Sequence, residues 1–443
     1  MRTGLKTLAR KGFNLFCYLS LPYKGIHQYI FPNEPPNSFR IEAELYGLRS
    51  ELRQRLISYN LGSLYTLPHS IATKIYKRFI DYNPGNLGNW SDDSANTYAT
   101  TRFEYEVIHK MIDLSNGDQD ALGGYITSGG TEGNIFAAWL GRTFLEQSYK
   151  ANKICLLKTS LTHYSVRKAG TLCNIPQYLL PLNKENWNMD KEGFTSAIQS
   201  LYKDGYRGFI VPLTLGYTST GTCDDIHTIV HEAERLKEKL KSIKFFFWID
   251  AAFNGLVTPF LNPSFQPFLS PLIQAYVVDF HKFGLVPYPA GIILYNKHLQ
   301  KMIEQPIDYL SEVDATLLGS RSGIPAVSIW AMIHSLGKNG YTRLAEEQRA
   351  NKIFLIEQIR KTIPKTEVIT HPSSLSCGLI FRDLPKQRLP QWIEEKYSLY
   401  PGKTKLVFFP KEEKEEVIYK CFFLPHIKKN VLEEFISDLM YEK

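Results

Sequence analysis

Apolar runs alternating with amphipathic stretches predict an α/β fold: a large domain on a mostly parallel, mixed sheet, then a smaller C-terminal α/β domain. Two observations carry this. Residues 154–157, 209–213, 245–249 and 275–278 are short, continuous apolar runs, as in strands covered on both faces. Beyond Pro325 the pattern turns helical to about residue 362. Shorter strand-like pieces follow at 367–369, 378–381 and 406–409, and an amphipathic helix closes the chain at 429–440.

Before the first strand, residues 1–60 read as a basic, Pro-punctuated arm that becomes helical from about 39 to 58. Residues 61–335 then form the expected large domain and 336–443 the small one. Between the apolar runs lie helical patterns, at 135–144 on Ile135, Phe136, Trp139, Leu140 and Phe144, and at 224–241. Neither an internal repeat nor a low-complexity tract interrupts this order.

With 44% apolar and 22% charged residues in 443, the chain has ordinary globular usage, which excludes wholesale disorder and a fibrous repeat. Its net charge of +8 is not gathered into one basic stripe, so no nucleic-acid partner is expected. The clearest local excess, Arg2, Lys6, Arg10, Lys11 and Lys24, precedes the first acid, Glu34. The mixed run 411–416 is expected to be a solvated loop or helix face. Residues 15–23 are apolar but interrupted by Ser20 and Pro22, about half of what spans a bilayer. With no small-residue cleavage site after it, the arm is expected to pack on a partner subunit, in preference to a membrane. Six cysteines (17, 155, 173, 223, 377 and 421) without C-x-x-C spacing suggest reduced thiols of a cytoplasmic protein, with no disulfide framework and no metal site.

Four segments carry chemistry, each at the end of an apolar run. In 125–134, Tyr-Ile-Thr-Ser-Gly-Gly-Thr-Glu-Gly-Asn, a strand ends at two glycines and Thr131 stands where a helix N-cap belongs. Free amides at such a helix start favour a phosphate. This turn lacks the lysine of a P-loop, and Gly-rich strand-to-helix turns are also common without any ligand. Asp250 follows five large apolar residues, at a carboxyl end where α/β sheets bind ligands, although an acid there can equally cap a turn. Lys282 leaves the 276–279 run beside His281; a lysine desolvated in a pocket becomes a nucleophile toward an aldehyde, while lone lysines usually snorkel to the surface. His163 follows the 154–157 run, where a lone histidine is more often structural. Together they supply a phosphate cradle, a flat ring, a buried acid and an amine in that chain order. Those are the needs of pyridoxal phosphate, whose pyridine nitrogen must stay protonated and whose aldehyde must be held as a Schiff base.

From about residue 75 to 340 the sequence resembles the group II pyridoxal-phosphate-dependent amino-acid decarboxylases of fold type I, nearest the histidine- and serine-decarboxylase-like branch. The anchors are Asn86-Leu-Gly-Asn-Trp90, the 124–134 segment, His163-Tyr-Ser-Val166, Asp250-Ala-Ala252, His281-Lys282, and 307–309 leading to Gly319-Ser-Arg-Ser-Gly323. The resemblance implies pyridoxal 5'-phosphate as cofactor, Lys282 as the Schiff-base lysine and Asp250 as partner of the pyridinium nitrogen. It further implies that His163 stacks on the ring with Ala252 on the other face. Gly130, Thr131 and His281 would hold the phosphate, and Thr218 would approach the ring hydroxyl. Tyr309 would return a proton to the α-carbon. Ser320 would reach the neighbouring subunit's phosphate, which makes the expected form a homodimer with shared active sites.

The expected reaction is therefore decarboxylation of an L-amino acid, with histidine, serine or an aromatic amino acid the first choices. Tyr217 and Asp279-Phe280 depart from close relatives, and the 282–295 segment also resembles sphingosine-1-phosphate lyases. That gives a carbon–carbon lyase as the alternative. Arg382 is a candidate carboxylate clamp of the aminotransferase kind, or else a partner of Asp383 or a solvent-facing residue. Tyr65, His69 and Trp90 are candidate pocket residues.

Overall fold

The computed structural model describes residues 38–55, 59–64, 66–88, 98–308 and 312–441. The chain divides into two compact units, Met1–Asn60 and Leu61–Lys443. In the first, helix α1 spans Ser38–Arg55.

The second unit is built mainly on two sheets, beside two short two-stranded pairings, 85–86 with 321–322 and 305–307 with 312–314. The larger has seven strands: β1 (Leu122–Thr127), β2 (Ile154–Thr159), β3 (Gln177–Leu180), β4 (Gly208–Thr214), β5 (Lys244–Asp250), β6 (Ile273–Asp279) and β7 (Gly291–Asn296). Their spatial order is β1-β7-β6-β5-β4-β2-β3. Strands β2 to β6 run parallel, and β7 is antiparallel to both of its neighbours, β1 and β6. The mostly parallel mixed sheet is as expected. The smaller sheet is wholly antiparallel, β8 (Thr366–Thr370), β9 (Ser376–Phe381), β11 (Glu412–Phe422) and β10 (Pro401–Phe408) in that spatial order.

Continuous apolar strands are covered twice, as their composition requires. On β5, Phe246 and Trp248 face helix α2 (Gly130–Glu146) in one cluster with Phe136 and Leu140. Phe245 and Phe247, on the opposite face, meet Phe194. All four β5 aromatics are at most 2% exposed, and burying each such side chain contributes about 1.5–3 kcal/mol. Helix α2 lies close because of Gly133, where a Cβ would stand 2.6 Å from Val277 Cγ1.

Helix α3 (Ile226–Lys239) is capped by Asp225, which accepts from the Thr228 amide at 3.0 Å. The long helix α4 (Ile324–Thr362) changes direction at Gly337, whose φ of 58° suits glycine. Helix α5 (Lys429–Tyr441) closes the chain.

One sequence expectation is corrected here. The mixed-charge run 411–416 is neither loop nor helix face, since Glu412–Glu416 pair with β10 in a hairpin. Its register buries Glu416 to 1% exposure against Arg382 and Lys414. Alternation of charges hid the period of two.

Candidate active site

The carboxyl ends of the parallel strands open onto a cavity of about 470 Å3. The turn after β1 contributes Ser128 to Thr131. The segment after β2 adds His163 and Tyr164, and β4 with its following loop adds Thr214, Gly216 and Thr218. Strand β5 adds Asp250 and Ala252, and β6 adds Asp279, His281 and Lys282. From the small sheet come Ser376, Lys420 and Phe422. Eight of the ten expected residues thus meet here: Gly130, Thr131, His163, Thr218, Asp250, Ala252, His281 and Lys282. Ser320 is exposed and does not line this cavity, and Tyr309 lies outside the described residues.

The glycine turn differs from expectation by two residues. Helix α2 begins at Gly130 with Gly129 as its cap, so Thr131 sits in the first turn and is not the N-cap. A Cβ at Gly129 would come within 2.9 Å of His281 Cε1, which explains the glycine. Glu132 instead ties the turn, accepting from the Ser128 amide at 2.7 Å and from the Tyr125 hydroxyl at 2.9 Å.

Asp250 is held by neutral donors. Asn134 Nδ2 donates to its Oδ2 at 2.8 Å and the Ala252 amide to its Oδ1 at 3.2 Å. The same Asn134 amide donates to Ser165 Oγ at 2.9 Å, and its Oδ1 accepts from Trp248 Nε1 at 2.8 Å. Ser165 in turn lies 2.8 Å from His163 Nδ1. Burial pushes the His163 imidazole below its usual range, more than nearby Asp250 raises it.

Asp279, one strand over, is held by charge. Lys282 Nζ lies 2.9 Å and His281 Nε2 3.5 Å from its Oδ2. Tyr288, half exposed, stacks on the His281 ring with centroids 3.9 Å apart. Burial also lowers the His281 imidazole. Phe280 and His281 both donate backbone bonds to the Ala290 carbonyl, at 2.9 and 3.0 Å. The lysine-bearing loop is therefore pinned between β6 and β7.

Two residues expected near a ligand, Arg382 and His69, are employed otherwise, and Tyr217 does not line the cavity. Arg382 does not reach the cavity; it pairs with Glu367 and Glu416, neither of them the expected Asp383. His69 caps the helix beginning at Ser70, its Nδ1 accepting from the Ile71 amide. Tyr217, which departs from relatives, points into the core beneath the site, its hydroxyl 2.9 Å from Asp224. Burial pushes that acid up to about 6. Tyr65 and Trp90 lie outside the described residues. Sequence reasoning missed Asn134, Ser165, Asp279 and Lys420 as contributors. Only Asn134 carried a signal, standing one turn beyond Gly130 on the same helix.

A family model for the pyridoxal-dependent decarboxylase conserved domain matches residues 94–382. The chain belongs to this family. A tryptophan decarboxylase of Clostridium sporogenes is 28% identical over 373 residues, covering 82% of this chain and 84% of the relative. A probable L-tyrosine/L-aspartate decarboxylase of Methanococcus aeolicus is 30% identical over 317 residues, 68% of this chain and 76% of the relative. Among solved structures, L-methionine decarboxylase from Streptomyces sp.590 superposes with a TM-score of 0.80 at 16% identity, covering 95% of this chain and 98% of that one. This decarboxylase is thus a pyridoxal-phosphate-dependent carboxy-lyase acting on an amino acid.

The cavity's residues fit that cofactor. Thr214 Oγ1, Asp279 Oδ1 and His281 Nδ1 are buried and have no hydrogen-bond partner among the described residues. All three residues line the cavity, where a polar ligand can satisfy them. A helix start for an anion, a carboxylate for a protonated ring nitrogen and an amine for an aldehyde share the same wall. No described helix is long and apolar enough to cross a membrane.

Proposed function

We propose that this decarboxylase binds pyridoxal phosphate and its amino-acid substrate in the 470 Å3 cavity, with Lys282 carrying the cofactor aldehyde. The observation that supports this most is the convergence of eight expected residues from separate strand ends on one cavity. The carbon–carbon lyase alternative is not favoured, since the matching family and the relatives are decarboxylases.

When bound, pyridoxal phosphate supplies the ring that takes up the electron pair left as CO2 departs. The chain's residues supply the rest. Asp250, fixed by Asn134 and the Ala252 amide, would hold a proton on the ring nitrogen. His163, Ala252 and Thr218 would hold the ring, and the amides of Gly130 and Thr131 would receive the phosphate together with His281. Lys282 would carry the aldehyde and yield it to the substrate amine. Tyr309 delivers the proton to the α-carbon. Ser320, exposed and away from its own cavity, reaches the phosphate site of a second copy, which makes the working form a homodimer.

The direct test is borohydride treatment of the cofactor-loaded protein followed by peptide mapping. A pyridoxyl group on Lys282, and loss of CO2 release in Lys282→Ala, are expected. A pyridoxyl group elsewhere overturns the assignment.

Histidine, serine and aromatic amino acids are the substrates favoured by sequence, but Lys420 favours another. This small-sheet lysine lines the cavity and has no ion-pair partner among the described residues. An ammonium held against the reacting carboxylate would stabilise the bound ground state and lose its partner as neutral CO2 departs, which opposes catalysis. The charge is better matched to a side-chain carboxylate, as in aspartate or glutamate. Amine release from all twenty amino acids should then be highest for an acidic one. Lys420→Met should raise KM for that substrate by about tenfold, the effect of one charged hydrogen bond. Selective release from histidine or tryptophan rejects the acidic reading.

A further inference from the structure

Asn134 stands at the centre of a hydrogen-bond chain whose direction is fixed by what each atom can do. The Trp248 indole nitrogen can only donate, so the Asn134 oxygen must face it, at 2.8 Å. Both Asn134 N–H groups are then committed, one to Asp250 Oδ2 at 2.8 Å and one to Ser165 Oγ at 2.9 Å. Having accepted there, the Ser165 hydroxyl is free to donate to His163 Nδ1, 2.8 Å away. The Ser165 amide approaches the same nitrogen at 3.4 Å. Every polarity in the chain agrees: His163 Nδ1 accepts, so the proton of the neutral ring lies on Nε2. The chain up to His163, itself partly exposed, is shielded from water, with Asn134, Ser165 and Trp248 at most 1% exposed and Asp250 at 5%.

We propose that Asn134 is a positioning residue that ties Asp250 and His163 into one oriented chain, holding the first as an acceptor toward the cavity and the second as a neutral Nε2–H ring. The proposal rests on the reading of those two residues as cofactor contacts. It adds a physical role for Asn134, Ser165 and Trp248, which act through Asp250 and His163. In a low-dielectric site such a chain is worth more than its separate bonds, and a half-satisfied one is costly. The charged groups that act on His163 besides Asp250 are Lys282, Asp279 and Lys420. All belong to the cavity and all remain in the variants below.

Three full-length variants test the chain. Asn134→Leu keeps the branched shape and removes both donors; Asn134→Asp keeps the shape and replaces the donors with an acceptor, except when its carboxyl group is protonated. Dissociation constants for pyridoxal phosphate are measured by equilibrium dialysis from pH 5 to 8 and expressed relative to the unsubstituted protein at each pH. Both variants should bind about a hundredfold more weakly at pH 8, the loss of strong bonds to a buried carboxylate. Asn134→Asp alone should recover toward low pH, as its carboxyl group regains a proton to donate. Ser165→Ala breaks only the histidine end, so His163, followed by imidazole NMR without cofactor, should titrate at higher pH than in the unsubstituted protein.

Equal, pH-independent losses in the two Asn134 variants would reduce Asn134 to a packing role and overturn the proposal. An unmoved His163 titration in Ser165→Ala would overturn it as well, and decides the matter alone if the Asn134 variants do not fold. Failure of the underlying functional reading looks different: the unsubstituted protein would then take up no pyridoxyl group at Lys282.

Discussion

Asp250 and Asp279 stand at equivalent places, the last residues of adjacent parallel strands, both at most 5% exposed, yet their surroundings are opposite. Asp250 is met by an amide side chain and a backbone N–H, so among the described residues no cation in direct contact cancels its charge. Asp279 is met by Lys282 and His281 and keeps one oxygen without a partner among the described residues. The carboxyl end of a strand therefore gives position only. What the acid does follows from whether its neighbours orient the charge or neutralise it. The small sheet repeats the contrast with cations, since Arg382 is locked between Glu367 and Glu416 while Lys420 faces the cavity.

Substitutions should separate these roles. The largest effect is expected at Asp250: Asp250→Ala should lower kcat on the order of a thousandfold, as for loss of a group aimed at developing charge. A smaller loss than that of Asp279→Asn, in the same turnover assay, would reverse the comparison. Removing Arg382 should act on stability and leave KM alone. Arg382→Met strips Glu416 of its main partner and should cost about 3 kcal/mol in urea unfolding, somewhat less if Lys414 compensates. Lys420→Met should show the converse, a KM change with an unaltered urea midpoint. Asp279→Asn should sharpen the picture from the other acid by leaving the Lys282 ammonium, 16% exposed, without its counter-ion. A stability loss of about 2–3 kcal/mol is expected in the cofactor-free protein.

The smallest effect concerns pH. His163 and His281 are both held below the ordinary imidazole value of 6.5, chiefly by burial. Their folded forms bind fewer protons than the unfolded chain between those lowered values and 6.5. The stability they confer is therefore complete above that range and lost as pH falls through the lowered values. The melting temperature should fall on acidification from pH 7, and His281→Asn should flatten that slope. An unchanged slope in that variant would mean that His281 contributes nothing to the acid loss of stability.

Much of this was legible in the sequence, for identifiable reasons. Continuous apolar runs gave β2, β4, β5 and β6 because strands covered on both faces need no alternation. Chemistry at their ends gave Asp250, His163 and Lys282, since polar groups directly after such runs have nowhere else to go. The direction of β7 was not legible, because an apolar strand reads the same either way. Asn134 and Asp250 are 116 positions apart, and the close packing of helix α2 on the sheet, at Gly133 and Gly141, brings them together. Lys420 was hidden because its strand opens with the mixed-charge run, and Arg382 misled because its acidic partners, Glu367 and Glu416, lie on neighbouring strands.

The pinning of the segment between β6 and β7 has a mechanical consequence. With Phe280 and His281 anchored by their amides to Ala290, and the Val286 amide donating to the Phe280 carbonyl at 3.2 Å, the main chain around Lys282 is held on its N-terminal side and folded back beyond it. In the role proposed for Lys282, exchange of one amine for another would call for rotation about the four methylenes of its side chain, with no rearrangement of the backbone. Amide hydrogen exchange at 280 and 281 should accordingly stay slow throughout turnover, even while the lysine swings.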